Sequence, residues 1–139
     1  MLPSLFLSHG SPMLALTASP ARDFLSGLAA RLERPQAILV ASAHWETRSP
    51  ALSAPAVNET IYDFYGFPPE LYEKHYPAPG SPELAKLTVE TLGKSHVGLD
   101  TEWGLDHGAW AVLCQMYPRA DVPVVQLSLD ERKPPAYHY

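Results

Sequence analysis

The stretch Arg34-Pro35-Gln36-Ala37-Ile38-Leu39-Val40-Ala41-Ser42-Ala43-His44-Trp45 decides the class of fold. Pro35 stops whatever precedes it, and Ile38 to Ala43 is then a short apolar run with no polar alternation, the pattern of a strand covered on both faces. Leu5 to Ser8 and Val122 to Leu127 read the same way. Between these runs lie segments of helical period. Ser19-Pro20 offers a cap and a first-turn proline, with Phe24, Leu25, Leu28 and Leu32 expected on the inward side. Ser81-Pro82-Glu83 repeats the signal, with Leu84, Leu87, Thr88 and Leu92 inward and Gly93 as the stop. Asp106 caps a third helix, whose inward positions are Ala109, Val112, Leu113 and Met116 and which ends before Pro118. Strands alternating with helices predict an α/β fold, a mainly parallel sheet with helices on both faces.

The chain is one expected domain, 1–139, since about 100 to 200 residues make a domain. At that size about two thirds of the unfolded surface can be buried, so no staple is needed. The single Cys114, read as a core thiol, excludes a disulfide framework and a thiolate zinc site, which makes a cytoplasmic setting the default. Fifteen acidic against ten basic side chains give a net charge of −5 with no basic stripe, which argues against nucleic acid. No apolar run approaches the roughly 18 residues of a membrane span, and the amino-terminal run lacks a positively charged flank. Fifteen prolines in 139 residues, about twice the usual share, collect between the periodic segments as stiff loops. They are densest in 45–80, a proline- and aromatic-rich excursion of a length usually tied to function. The bland reading of that stretch is a packed surface loop with a short edge strand at Ala51 to Val57.

Three histidines stand where such a fold puts its chemistry. His9 follows the first expected strand, His44 the second, and His107 opens the third helix. Ligands of open α/β sheets bind beyond the carboxyl ends of strands, so His9 and His44 converge if their strands are parallel neighbours. Two neutral imidazoles are half of a site for iron, zinc, copper or nickel. His107 is open to three roles, as a third ligand, an acid or base, or a donor to a bound anion. Against this, a histidine at a strand end often only satisfies a nearby carbonyl. His75, His96 and His138, lacking strand-end positions, are read as structural, Asp106 as a cap, and Glu46 and Glu102 as surface groups. Ser8 and Ser11 flank His9 with poor geometry for a nucleophile and base. No phosphate loop, His-Glu-x-x-His helix or nucleophile elbow is present.

Five blocks, in order, carry a resemblance: Leu7-Ser8-His9-Gly10-Ser11-Pro12-Met13, Ser42-Ala43-His44-Trp45, Tyr62-Asp63-Phe64-Tyr65-Gly66-Phe67-Pro68, Tyr76-Pro77-Ala78-Pro79-Gly80 and Gly104-Leu105-Asp106-His107-Gly108-Ala109-Trp110. Together with 123–130 they resemble the class III extradiol ring-cleavage dioxygenases, in particular the DOPA-dioxygenase-like subgroup. The resemblance implies that His9 and His44 bind non-haem Fe(II), with zinc as the other metal to consider, and that His107 lies at the site as a catalytic residue. It further implies a small catechol such as DOPA and O₂ as substrates, with the ring cut beside the diol. Tyr62, Tyr65 and Phe67 are the candidates for a wall against the flat ring. Family members are about twice this length, and their second half supplies a further ligand and an acid-base histidine, so the chain resembles an amino-terminal half. A sheet cut short in this way is expected to expose an edge and to self-associate, and the isolated chain to show little ring cleavage. Two other readings stand beside it: a zinc-binding, non-oxidative module for small ligands or peptides on the same scaffold, and structural histidines without a site.

Overall fold

The computed structural model describes residues 2–93 and 97–138; His96 lies outside the described residues. The strands are β1 (Ile38–Glu46), β2 (Ala51–Ser53), β3 (Gly98–Asp100) and β4 (Val124–Leu129); the helices are α1 (Pro20–Ala29), α2 (Pro69–Tyr72), α3 (Pro82–Leu92) and α4 (His107–Met116). Short 3₁₀ turns occupy Pro12–Ala15 and Pro135–Tyr137. The sheet runs β1-β4-β2-β3, with β1 and β4 parallel, β2 and β3 parallel, and β2 antiparallel to β4. The α/β class and the mainly parallel sheet therefore hold, with one reversed seam. The link from β1 to β2 is residues 47–50, too short for the dozen or more residues of a parallel crossover, so β2 must run back.

Successive residues of β4 point to opposite faces, and the core divides accordingly. Val124 packs with Ala109, Trp110 and Leu113 of α4, while Val125 packs with Leu52 and with Ala85 of α3. Helices thus cover both faces. A second cluster, Leu14, Leu25, Val112 and Met116, joins α1 to the outer side of α4. The reversed seam carries one backbone pair, Leu52 with Leu127, and a side-chain bond on either side of it. Ser53 Oγ accepts the N–H of Gln126 at 2.7 Å, and Ser128 Oγ accepts that of Ala51 at 2.8 Å.

Several expectations need correction. Leu5 to Ser8 is not a strand: no partner ladder among the described residues engages it, and Phe6 is 99% exposed. An apolar run becomes a strand only where a neighbour takes its backbone groups. The strand at Ala51 is three residues long and lies inside the sheet instead of at its edge. Phe24 lies outward, under the Arg31 guanidinium at 5.7 Å, because Leu25 and Leu28 take the inward side of α1. Leu87 and Leu92 also face solvent; α3 turns Leu84, Ala85 and Val89 to the sheet, the small Ala85 allowing close approach. The cap signals at Ser19, Ser81 and Asp106 hold, each side chain accepting a first-turn N–H. All four expected inward positions of α4 are buried.

The 45–80 excursion is packed down. Asn58, 1% exposed, donates from Nδ2 to the carbonyls of Ala78, Pro79 and Val124, clamping the middle of the loop to its far end and to β4. Trp110 Nε1 donates to Ile61 O at 2.9 Å and Tyr76 Oη to Tyr117 O at 3.0 Å. The first bond holds Ile61 against the first half of α4, and the second ties Tyr76 to its carboxyl end. Among the described residues no helix is long and apolar enough to cross a membrane.

Candidate metal centre

Each of the three histidines is delivered by a different device. His9 ends the unpaired amino-terminal stretch, and Gly10 after it turns the chain with φ of 62°, a left-handed conformation that favours glycine. The turn Pro12–Ala15 then buries Leu14 and Ala15, which fixes the direction from which His9 arrives. His44 lies within β1, where the register to β4 slips between Ala41 and Glu46. Such an irregularity breaks strict alternation and can aim a side chain off the strand's usual face. Ser42 Oγ accepts the N–H of His44 at 3.2 Å and donates to Asp106 Oδ1 at 2.7 Å. His107 is the first residue of α4, immediately after the cap.

The rings meet. His9 Nε2 and His44 Nε2 are 2.9 Å apart, and His107 stacks at a tilt on His44 with centroids separated by 4.0 Å. One ligand nitrogen from each of the three lies within 4.8 Å of the others. Two nitrogens about 2.1 Å from one ion and at right angles are separated by about 3.0 Å, so the His9–His44 contact suits a shared cation. His9 Nδ1 is buried without a hydrogen-bond partner among the described residues. Burial, then the neighbouring His107 and His44, push the His9 imidazole below its ordinary pKa, which favours the neutral ring that ligates metal. The donor set therefore fits a divalent transition metal. The expected convergence of His9 and His44 is present, but not through paired parallel strands.

Behind the rings lie two carboxylates. Asp63 Oδ1 accepts the backbone N–H of His107 at 2.9 Å and lies 2.9 Å from its Nδ1, off the line of a well-aligned ring hydrogen bond. Burial pushes the Asp63 carboxyl up, but its contacts with His107 outweigh that and hold it below the usual range. A carboxylate behind a histidine orients the ring and leaves the far nitrogen for other work. Asp106, fully buried, caps α4 and also accepts from Ser42 Oγ and Gln126 Nε2. Gly108 completes the arrangement. A Cβ there would come within 2.7 Å of the His44 ring and 2.7 Å of Ser42 Oγ.

The aromatic block lies beside the cluster. Phe64 meets His107 edge to face at 5.5 Å, and Phe67 packs on Phe64 at 5.3 Å. Tyr62 stands behind Phe64, its hydroxyl donating to Lys74 O at 2.6 Å, and Tyr65 is 92% exposed. His75 is exposed beside the Tyr62 hydroxyl and His138 lies 3.3 Å from Asp130 O, both away from the cluster. Cys114 is half-buried in α4 and burial raises its thiol pKa. Sequence reasoning missed Asp63, Phe64, Gly108 and Gln126. The first three sit inside blocks quoted for their histidines and tyrosines, so their positions were visible but their partners were not.

Residues 3–137 match the family described as the catalytic LigB subunit of aromatic ring-opening dioxygenase. The chain is 53% identical over 139 residues to a 4,5-DOPA dioxygenase extradiol of Escherichia coli (strain K12), covering 99% of this chain and 51% of that protein. A protein of the same name from Beta vulgaris is 48% identical, with 96% of this chain and 52% of the relative covered. A crystal structure of an uncharacterized Escherichia coli K12 protein superposes with a TM-score of 0.72 at 48% identity, over 88% of this chain and 46% of that one. The chain thus spans about half the length of the curated relatives it matches. With its match running almost end to end, this chain belongs to the LigB family of aromatic ring-opening dioxygenases.

Proposed function

We propose that this chain carries the first part of the active site of an extradiol dioxygenase that opens a small catechol such as DOPA, with O₂ as co-substrate, in the cytoplasm. The observation behind the proposal is the meeting of His9, His44 and His107 within 4.8 Å. His9 and His44 hold a non-haem Fe(II) through their Nε2 atoms. When bound, that ion supplies the joint activation of the diol and dioxygen that ring opening needs. His107, braced by Asp63, holds or moves a proton at its Nε2 as the catechol hydroxyl ionises. Phe67 and Tyr65 flank the flat ring together with Phe64, and Tyr62 braces that wall from behind. With two or three imidazoles as its ligand set, the 139-residue chain holds iron weakly and turns over little catechol by itself.

Anaerobic metal titration with elemental analysis tests this reading. The chain is expected to bind about one Fe(II) per molecule, and His9→Ala and His44→Ala each to weaken binding at least about tenfold. Metal content near zero, or binding indifferent to both substitutions, refutes it. Tight zinc with no iron preference favours the non-oxidative alternative, and brisk formation of yellow ring-opened product by the chain alone refutes its expected low activity.

A further inference from the structure

The sheet has an open side at β1. Ile38 donates its N–H to Pro123 O at 2.9 Å, so Ile38 and Val40 spend their backbone groups on β4. Adjacent residues of a strand direct theirs to opposite sides, which leaves those of Leu39 and Ala41 facing outward. β1 ends the strand order, and among the described residues no backbone hydrogen bond joins 2–8 to it. Between the two runs a groove of about 580 Å³ remains, lined by Leu5, Leu7, Leu39 and Ala41 with Val112 and Leu113 of α4. Leu5 and Leu39 are each 46% exposed.

We propose that this groove seats a β-strand from polypeptide equivalent to the half of the relatives' length that this chain does not span. Its wall on one side is a row of unpaired amides and carbonyls, which a strand satisfies and a compact small molecule does not. The opposite wall, 2–8, is an apolar run without a ladder, and one inserted strand gives both walls a partner. The relatives carry about as much chain again as is matched here, so they have the strand to supply. A second copy fits poorly, because its own β1 edge is flanked by its own 2–8 stretch. The groove also reaches Gly108, so its occupant borders the histidine cluster. This proposal does not depend on the metal reading.

Amide hydrogen exchange tests it, using this chain alone and a chimera that continues after residue 139 with the remainder of the Escherichia coli relative. The Ala41 amide is expected to exchange at least about 100-fold more slowly in the chimera. Leu39→Pro removes only an outward N–H, which an edge strand tolerates, so the chain alone keeps its melting temperature while the chimera loses several degrees and the protection at Ala41. An unprotected Ala41 in a cooperatively melting chimera overturns the proposal. Protection that appears in the chain alone together with dimerisation also overturns it, with a second copy as occupant. The equivalent amide in the full-length Escherichia coli relative is the second readout, and fast exchange there overturns the proposal whether or not the chimera folds.

Discussion

Gly108→Ala pits two effects of opposite sign against each other. Alanine is favoured over glycine within a helix by about 0.8 to 1.0 kcal/mol, so helix propensity alone predicts a gain. The added Cβ, however, meets His44 Cδ2 at 2.7 Å, Ser42 Oγ at 2.7 Å and Asp106 Oδ1 at 3.0 Å. Two of the three cannot yield easily, since Ser42 and Asp106 are bonded to each other at 2.7 Å and both are buried, which leaves the exposed His44 ring to move. Relieving such crowding costs about 1 to 3 kcal/mol, so the net effect is a loss of up to about 2 kcal/mol. For a chain of this size that lowers Tm by several degrees, about 3 to 5 °C per kcal/mol. The control is Gly27→Ala in α1, where a Cβ meets nothing within 4 Å and the same propensity should raise Tm. Calorimetry gives both shifts, and metal titration reads the displaced His44 ring as at least about tenfold weaker binding. Equal stabilisation by the two substitutions, with metal affinity unchanged in Gly108→Ala, would refute the close approach of α4 to His44.

Asp63→Asn keeps an acceptor for the His107 N–H but removes the charge beside its ring; with the metal on His9 and His44, affinity is expected to stay within about threefold and Tm to change little, and a fall of about tenfold or more would make His107 a third ligand. Asn58→Ala removes the side-chain donor to Val124 O, while Ala78 O and Pro79 O keep the backbone N–H groups of residue 58 and Val124, and should cost about 1 to 3 kcal/mol in denaturant unfolding; a loss under about 0.5 kcal/mol would show that the clamp is idle. The Arg132 guanidinium holds the Asp130 carboxyl down to about 2. Because that native value lies below the unfolded one of about 3.9, the stabilisation is present above pH 4 and lost as pH falls toward 2. Arg132→Ala should flatten that part of the stability curve, and an unchanged acid profile would count against the pairing.

What was legible in the sequence follows from the range of the forces involved. Caps, proline stops and the all-round burial of α4 are local, and Ser19, Ser81 and Asp106 announce them within three residues. The approach of His9 to His44 was readable from their positions after apolar runs, although the expected mechanism, adjacent parallel strands, is not the one used. Pairing is long-range, and so Leu5 to Ser8 looked like a strand, while β3, three residues with Gly98 at its start, carried no signal to find. The roles of Asp63 and Gly108 depend on atoms 44 and 64 positions away in the chain, on His107 and His44 respectively for the near partners and on Ser42 beyond, distances over which no periodicity reports.

The antiparallel seam has a consequence for how this sheet tolerates change. A ladder of peptide groups is blind to which amino acid carries it, but the joint between β2 and β4 leans on the hydroxyls of Ser53 and Ser128. Single codon changes at these two positions therefore reach the architecture itself, loosening or re-angling one parallel pair against the other, where a change at Val124 or Val125 alters the packing of one face and leaves the strand pairing in place.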